Sequence, residues 1–259
     1  MLIEQSELLL FFLVVGVAAY YLVLPVLVGM QQRYSANPKV MELNFERLDP
    51  SLAEFLMTRT RALFAIGFEE PTLVQLPSPA ANVSVYLILL VNRQAGDKAM
   101  VTAMVGHGSV PIQSLYVEFS TRFDDDHIFN TLNASQLNAF PPSPTTVRTQ
   151  VPTVSDPQEL YQLHCFVMDN HDVRANKVLY EPGKAIEYLI RFAFREAYDR
   201  QVKRGWLYYD EAKDCYGQTF VGAYRIAWGL MQPFKALRTN ALRRREQMIL
   251  ADFRRTRAG

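Results

Sequence analysis

The side chains best suited to metal binding or nucleophilic chemistry are few and widely separated in this chain. It contains two cysteines, Cys165 and Cys215, and the histidines His164 and His171 lie seven residues apart. A structural zinc site usually needs close ligand pairs, such as C-x-x-C or H-x-x-x-H. Because no such pair occurs, the sequence predicts no metal site, and Cys165 is interpreted as a core residue.

Other polar clusters are equally unspecific. The run Asp124 to Asp126 lacks the alternating ligands, the glycine and the final glutamate of a calcium-binding loop, so it is interpreted as a solvated turn. Glu118 and Arg122 are interpreted as an ion pair on the polar face of a strand. The sequence contains no G-x-G-x-x-G, Walker or G-x-S-x-G motif. It therefore predicts no cofactor and names no catalytic residue, although these absences do not exclude catalysis.

An uncharged apolar stretch extends from Leu8 to Met30. About 23 residues at ~1.5 Å each give roughly 34 Å, enough to cross a hydrocarbon core of about 30 Å. A cleaved signal peptide would have a basic start and a shorter apolar region. Here Glu4 and Glu7 precede the stretch and no basic residue does. Residues 1–30 are therefore predicted to form a transmembrane anchor.

The charges around this anchor predict its orientation. Arg33 and Lys39 follow it, and positive charge favours the cytoplasmic side. The sequence thus predicts a single-pass membrane protein with its N-terminus outside and its following domain in the cytoplasm. Pro25 predicts a kink in the second half of the helix, because proline removes a backbone hydrogen bond.

Small residues in the anchor suggest a second role for this helix. Gly16, Ala18 and Ala19 would allow another helix to approach closely. One interpretation is an oligomer that forms through the anchor. The other is that these small residues are simply tolerated in a lipid-facing helix.

Beyond a linker of residues 31–43, residues 44–140 have the pattern of an α+β domain. Asp49 followed by Pro50 is typical of a helix start. The apolar run from Val83 to Val91 is typical of a central strand, and Gly96 with Asp97 predicts a hairpin turn. We expect an antiparallel meander of four or five strands packed on the first helix, with a strand break at 106–109.

The second half of the chain is predicted to be mainly helical. Residues 141–157 are rich in proline and predict a connector with little regular structure. Residues 158–233 contain two amphipathic helical patterns and a small hairpin, with strands expected over 206–209 and 216–220.

One part of this region carries a resemblance to a known family. From Lys184 to Trp228 an amphipathic helix is followed by Arg204-Gly205-Trp206-Leu207, a polar turn, a second strand and a new helix. This order resembles the recognition helix and wing of winged-helix proteins, although those proteins usually have two helices before the recognition helix and only one is predicted here. The resemblance implies nucleic-acid contact through Arg191, Arg195 and Arg200, or equally a protein-binding module.

Residues 234–259 form a basic tail. This segment contains eight Arg or Lys residues and two acidic residues, Glu246 and Asp252. Its local charge is therefore +6, in a chain with a net charge of +1. An interrupted apolar stripe accompanies the basic residues, formed by Phe234, Leu237, Leu242, Ile249, Leu250 and Phe253. This arrangement is that of a helix lying on an anionic membrane, which is the interpretation we favour. Docking on an acidic protein and a solvated helix without a role are the alternatives. In the first two cases the contact residues are Arg243, Arg244, Arg245, Arg254 and Arg255.

Together these patterns predict a function in binding rather than in catalysis. We expect a membrane-tethered cytoplasmic domain that binds another membrane or cytoplasmic protein, as a scaffold or an accessory subunit of a membrane assembly. One alternative is an enzyme whose pocket lies at the junction of the sheet and the proline-rich connector. The other is a membrane-anchored, winged-helix-like regulator, although the near-zero net charge argues against a nucleic-acid partner.

Overall fold

The computed structural model describes residues 2–77, 83–106 and 114–258. The strands are β1 (Arg33–Ser35), β2 (Met41–Glu42), β3 (Glu69–Leu76), β4 (Val83–Asn92), β5 (Asp97–Gly106), β6 (Ser114–Arg122), β7 (Ile128–Leu132), β8 (Thr146–Gln150), β9 (Leu207–Asp210) and β10 (Cys215–Gln218). The helices are α1 (Leu2–Leu22), α2 (Leu24–Gln31), α3 (Pro50–Phe64), α4 (Pro157–Asp169), α5 (Ala185–Tyr188), a π-helical segment (Leu189–Arg195), α6 (Glu196–Lys203), α7 (Phe220–Leu230) and α8 (Phe234–Ala258). The fold is therefore mixed α+β.

The chain divides into two compact units. The first, called the anchor unit, consists of Met1–Asn37, Leu137–Pro141 and Phe192–Asn240. The second, called the sheet unit, consists of Pro38–Gln136, Pro142–Arg191 and Ala241–Gly259. Each unit is thus assembled from segments that are far apart in the sequence.

In the anchor unit, a small antiparallel sheet has the order β1-β10-β9. The predicted hairpin of β9 and β10 is confirmed, with Tyr216 opposite Tyr209. Its core contains Ala36, Leu207 and Tyr216, and the rings of Tyr34 and Tyr198 pack against it. The segment that was expected to be a plain linker therefore contributes a strand, β1, which pairs with β10.

In the sheet unit, the described strands form one sheet in the order β2-β3-β4-β5-β6-β7-β8. Neighbours from β2 to β7 are antiparallel, which confirms the predicted meander. The break predicted at 106–109 lies largely outside the described residues. Asp49 caps α3 as expected, because its carboxylate accepts hydrogen bonds from the backbone N–H groups of Ser51 and Leu52.

Two helices and part of a third cover one face of this sheet. Leu56 and Leu63 of α3, Leu160 and Leu163 of α4 and Phe253 of α8 belong to its buried core. These side chains recur at helical spacing in each element, which is why the same face of each helix is buried.

The proline-rich connector differs from its prediction. Thr146 to Gln150 form β8, which pairs in parallel with β7 at the end of the sheet. The prolines do not prevent this pairing, because Pro144 and Pro152 flank the strand instead of interrupting it. The connector therefore helps to build the sheet.

Candidate functional site

A buried hydrogen-bond network occupies the interface between the sheet and α4. Asp97 begins β5, and its Oδ1 accepts a hydrogen bond of 2.6 Å from the Thr121 hydroxyl on β6. Thr121 Oγ1 lies 2.8 Å from His164 Nε2 on α4, and His164 Nδ1 lies 3.0 Å from Thr131 Oγ1 on β7. Tyr161 donates to Asp97 Oδ2 at 2.8 Å. The network thus ties α4 to three neighbouring strands.

The proton positions in this network follow from its geometry. Thr121 gives its only hydroxyl proton to Asp97, so His164 must donate from Nε2 to Thr121 and accept at Nδ1 from Thr131. Burial lowers the pKa of His164 to about 4, which keeps the ring neutral as this pattern requires. The Asp–Thr–His order therefore does not activate the threonine as a nucleophile.

The burial of these groups supports the same conclusion. Thr121 and His164 have no exposed surface, and a general base must reach the proton of a bound substrate. The network meets solvent at Lys177, whose ammonium donates to Asp97 Oδ1 at 2.8 Å and is partly exposed. We conclude that the network stabilises the packing of α4 on the sheet.

A pocket of about 500 Å³ lies between β8, α4 and α8 in the sheet unit. Its apolar lining comes from Val147, Phe166, Val167 and Ile249, together with the buried Thr149. Its polar lining comes from side chains at the ends of α4 and α8 and from β8: Arg148, Asn170, His171, Asp252, Arg255 and Thr256. An apolar floor with a polar rim is typical of a binding groove.

The polar side chains that line this pocket include a histidine and an exposed ion pair. His171 donates from Nδ1 to the Val167 carbonyl at 2.7 Å, which leaves Nε2 as an acceptor. Arg255 lies 3.6 Å from Asp252 in an exposed pair, and such pairs are weak. The hydroxyl groups among the described lining residues belong to Thr149 and Thr256, and no lining cysteine, serine or lysine stands beside His171.

Helix α8 presents the arginines that the sequence singled out. Arg243, Arg244, Arg245, Arg254 and Arg255 are all exposed. The opposite side of the helix is held in the sheet unit, because Leu250 and Phe253 are buried and Phe253 packs on Phe166 with ring centroids 5.5 Å apart. Glu246 is buried too, and it accepts hydrogen bonds from the backbone and hydroxyl of Thr153 at 2.8 and 2.7 Å.

The buried side of α8 changes the interpretation of the tail. Leu250 and Phe253 were two members of the stripe that was expected to face a membrane, and they lie in the core instead. The arginines are therefore held on a packed helix, and Arg255 is the one of these five that lines the pocket. Contact between these arginines and a membrane or a partner stays a prediction.

The three arginines of the winged-helix resemblance have other contacts. Arg200 pairs with Glu196 at 3.1 Å, and Arg195 donates a hydrogen bond to Tyr209, which raises the pKa of its guanidinium. Arg191 belongs to the sheet unit, while Arg195 and Arg200 belong to the anchor unit. Nucleic-acid contact by these residues also stays a prediction.

The candidates for metal binding are separated in the structure. Within the described ranges, no group of three or more His, Cys, Asp or Glu side chains is arranged to hold a metal ion. Cys165 and Cys215 are free thiols, and burial raises the pKa of Cys165. Arg122, expected beside Glu118, pairs with Asp126 at 2.7 Å.

Comparison with known proteins supplies no further assignment. No family model, curated protein or solved structure matches the chain. The function is therefore inferred from the geometry and charge of the chain's own residues.

Sequence reasoning missed most of the pocket. Its floor uses Val147 and Thr149, which lie in the segment expected to lack regular structure, and Asn170, Asp252 and Thr256 were not singled out. The alternation of Thr146 to Gln150 was the signal that could have revealed β8.

Proposed function

We propose that this chain is a single-pass membrane protein whose sheet unit binds an acidic, extended segment of a partner protein. The observation that carries the proposal is the position of α8. Its apolar side packs in the core, its arginines are exposed, and one of them, Arg255, lines a groove that also has apolar side chains. The protein would then act as a scaffold or accessory subunit at the membrane.

The tether rests on one N-terminal apolar helix. Glu7–Gln31 form a stretch of 25 residues that is long and apolar enough to cross a membrane. The side chains from Leu8 to Val15 are largely exposed, and such exposure of a continuous apolar surface is typical of contact with lipid. The basic residues that follow the helix favour a cytoplasmic position for the sheet unit.

The shape of the groove favours an extended peptide. β8 is the last strand of the described sheet, pairing with β7 on one side, and a terminal strand offers backbone groups to an added strand. An extended peptide along β8 would place alternate side chains over Val147 and Ile249.

The charge on α8 favours an acidic peptide. From Ala241 onward the helix carries six arginines and two acidic residues. The pair that Arg255 forms with Asp252 is exposed, so a peptide carboxylate can replace that partner at little cost. Charge of this kind speeds association and selects acidic partners.

The alternatives have less support from specific contacts. An enzyme would use the same pocket, but within its described lining no hydrogen bond joins His171 to the hydroxyl of Thr149 or Thr256. The His171 bond goes to the Val167 carbonyl instead. A nucleic-acid regulator would use Arg191, Arg195 and Arg200, and the last two are engaged with Tyr209 and Glu196. A membrane surface as the partner of α8 is an outcome of the test below.

The binding proposal is tested with the full chain in nanodiscs of neutral lipid. The probe is a short fluorescent peptide that alternates leucine and glutamate, and the control peptide alternates leucine and lysine. We expect only the acidic peptide to bind and Arg255→Glu to weaken it about tenfold. Arg244→Glu, on the same helix but outside the pocket lining, should weaken it less than about threefold.

Two results would contradict this proposal. Equal binding of both peptides would show that the groove does not select charge. Failure to bind the acidic peptide, combined with an α8 that becomes protected only in nanodiscs of anionic lipid, would assign the arginines to the membrane surface.

The orientation is tested by labelling single cysteines in a chain that lacks Cys165 and Cys215. Gln5→Cys reports on the N-terminus and Asp172→Cys, at an exposed site, reports on the sheet unit. An impermeant thiol reagent applied to intact cells should label position 5 only. Labelling of position 172 alone would reverse the orientation.

A further inference from the structure

The apolar helix contains a break that leaves two backbone carbonyls without their usual donors. Pro25 has no N–H, so it cannot donate to the Tyr21 carbonyl one turn earlier. Val26 donates to the Val23 carbonyl at 3.1 Å instead of one full turn back to Leu22. Unpaired carbonyls are costly in an environment without water.

Side chains of α7 supply the missing donors. Trp228 donates from Nε1 to the Tyr21 carbonyl at 2.8 Å. Tyr224 donates from its hydroxyl to the Leu22 carbonyl at 2.6 Å. In return, Tyr21 donates to the carbonyl of Gln232, just beyond α7. Side chains of α7 therefore satisfy both carbonyls that the break leaves without a backbone donor.

The packing shows that α7 runs antiparallel to the end of the apolar helix. Gln218, before α7, donates to the Gln32 side chain at 2.5 Å. Further along, a Cβ on Gly29 would lie 2.6 Å from the Cβ of Ala223. Trp228 then reaches Tyr21. Helix α7 thus returns alongside the last turns of the predicted membrane span.

If the apolar helix spans a bilayer, its contacts with α7 place part of α7 within the membrane. Leu8 and Tyr21 are 13 residues apart, which corresponds to about 20 Å along a helix. The hydrocarbon core is about 30 Å thick. With Leu8 at one boundary, Tyr21 and its partner Trp228 lie inside the opposite boundary.

The surface of α7 and of the first turn of α8 is suited to that depth. Phe220, Val221, Leu230, Phe234 and Leu237 are exposed, with Phe220 66% and Leu237 63% accessible. Trp and Tyr side chains, with apolar rings and a polar tip, favour the boundary between hydrocarbon and headgroups. Lys235 lies in the same turn as Phe234, where its long side chain can reach the headgroups.

We propose that α7, with Phe234 and Leu237, enters the bilayer beside the apolar helix, with the start of α7 near the headgroups and Trp228 inside the hydrocarbon boundary. This inference rests on the membrane tether of the proposed function. The occupant of the exposed apolar surface is lipid, because the surface continues directly from the apolar helix through the bonds at Tyr21 and Leu22. In this proposal the chain contacts the membrane through two elements that are distant in sequence, the N-terminal apolar helix and α7.

The two tryptophans of the chain, Trp206 and Trp228, allow a direct test. The full chain is placed in nanodiscs with lipids brominated along the acyl chain. In the Trp206→Phe variant, Trp228 is the remaining tryptophan, and we expect its emission to be quenched at least about twofold by these lipids. A chain with Trp206→Phe, Trp228→Phe and Phe12→Trp reports separately on the apolar helix and should be quenched as strongly.

A second measurement covers the case in which a tryptophan variant fails to fold. Nitroxide labels are attached at Leu237→Cys and, as a matched control in the same unit, at the exposed Lys213→Cys. We expect the label at 237 to be more accessible to oxygen, and the label at 213 to a water-soluble nickel complex.

The outcomes distinguish this inference from the proposal on which it rests. Quenching of the tryptophan introduced at position 12 without quenching of Trp228, with equal nickel accessibility at positions 237 and 213, would overturn the inference and keep the tether. No quenching at position 12 would overturn the tether itself, and the inference with it.

Discussion

At the scale of single residues, the hydrogen-bond network at His164 contributes to the response of the sheet unit to acid. Both ring nitrogens are bound to threonine hydroxyls, and the ring is fully buried. Burial lowers the pKa of His164 from 6.5 to about 4. The unfolded chain therefore takes up a proton below pH 6.5 before the folded chain does.

This difference predicts a loss of stability in acid. The contribution of His164 to the free energy of unfolding is complete above pH 6.5, and between pH 6.5 and about 4 it should fall by on the order of 3 kcal/mol. His164→Gln should remove most of this slope, because glutamine also donates and accepts but does not titrate. Urea unfolding across this pH range measures the effect.

The control for this prediction is His127→Gln. His127 is exposed and pairs with Asp125 at 2.8 Å, so its replacement should leave the slope in place. A His164→Gln chain with an unchanged slope would show that another group controls the acid response.

At the scale of elements, the part of α8 from Ala241 onward is predicted to be packed firmly in the sheet unit. Phe253 is only 4% exposed and packs on Phe166. Phe253→Ala should lower the free energy of unfolding by about 3–5 kcal/mol. Met248→Ala, on the exposed side of the same helix, should change it by less than about 0.5 kcal/mol. Equal effects of the two substitutions would mean that α8 is not packed in solution.

A second element-scale prediction concerns the contact between α2 and α7. Gly29→Leu would place a side chain where Ala223 already lies, so it should separate the helices and shift the emission of Trp228 to longer wavelength. Gly16→Leu is the matched control, because nothing lies within 4 Å of its Cβ position. An unchanged emission in Gly29→Leu would contradict the packing of α7.

Gly16→Leu also tests the oligomer that the small residues of the anchor predicted. If Gly16 allows two anchors to pack, leucine there should abolish cross-linking between copies while the emission of Trp228 stays constant. Cross-linking that is unaffected by leucine would remove this role for Gly16.

The elements that the sequence predicted are those whose pattern is local. The helix start at Asp49, the strand from Val83 and the hairpin of β9 and β10 each carry their signal within a few residues. β8 and β1 could not be predicted with equal ease, because their stability comes from partners far away, β7 and β10. The pocket was missed for the same reason, since its floor joins Val147 to Ile249.

At the scale of the whole molecule, the two interleaved units predict how the chain responds to truncation. A chain that begins at Leu24 keeps α2 and β1, whereas one that begins at Asn44 loses both. The first should keep the sheet β1-β10-β9 in mild detergent, and the second should lose it because Tyr216 and Gly217 lose their partners in β1. Hydrogen exchange at the amides of β10 measures this difference.

The amides of β5, in the sheet unit, serve as the reference for comparing hydrogen exchange in the two truncated chains. Amides of β5, which lies between β4 and β6, should remain protected in both truncated chains. Equal protection of β10 in the two chains would show that β1 contributes little to the anchor unit.

The break at Pro25 also has a consequence for the order in which the protein is made. Trp228 follows Tyr21 by 207 positions and Tyr224 follows Leu22 by 202. At about 5–20 residues per second, a ribosome needs roughly 10–40 s to cover that distance. During this interval the Tyr21 and Leu22 carbonyls lack the donors that Trp228 and Tyr224 provide in the folded chain. Both side-chain donors are therefore added long after the break that they satisfy has been synthesised.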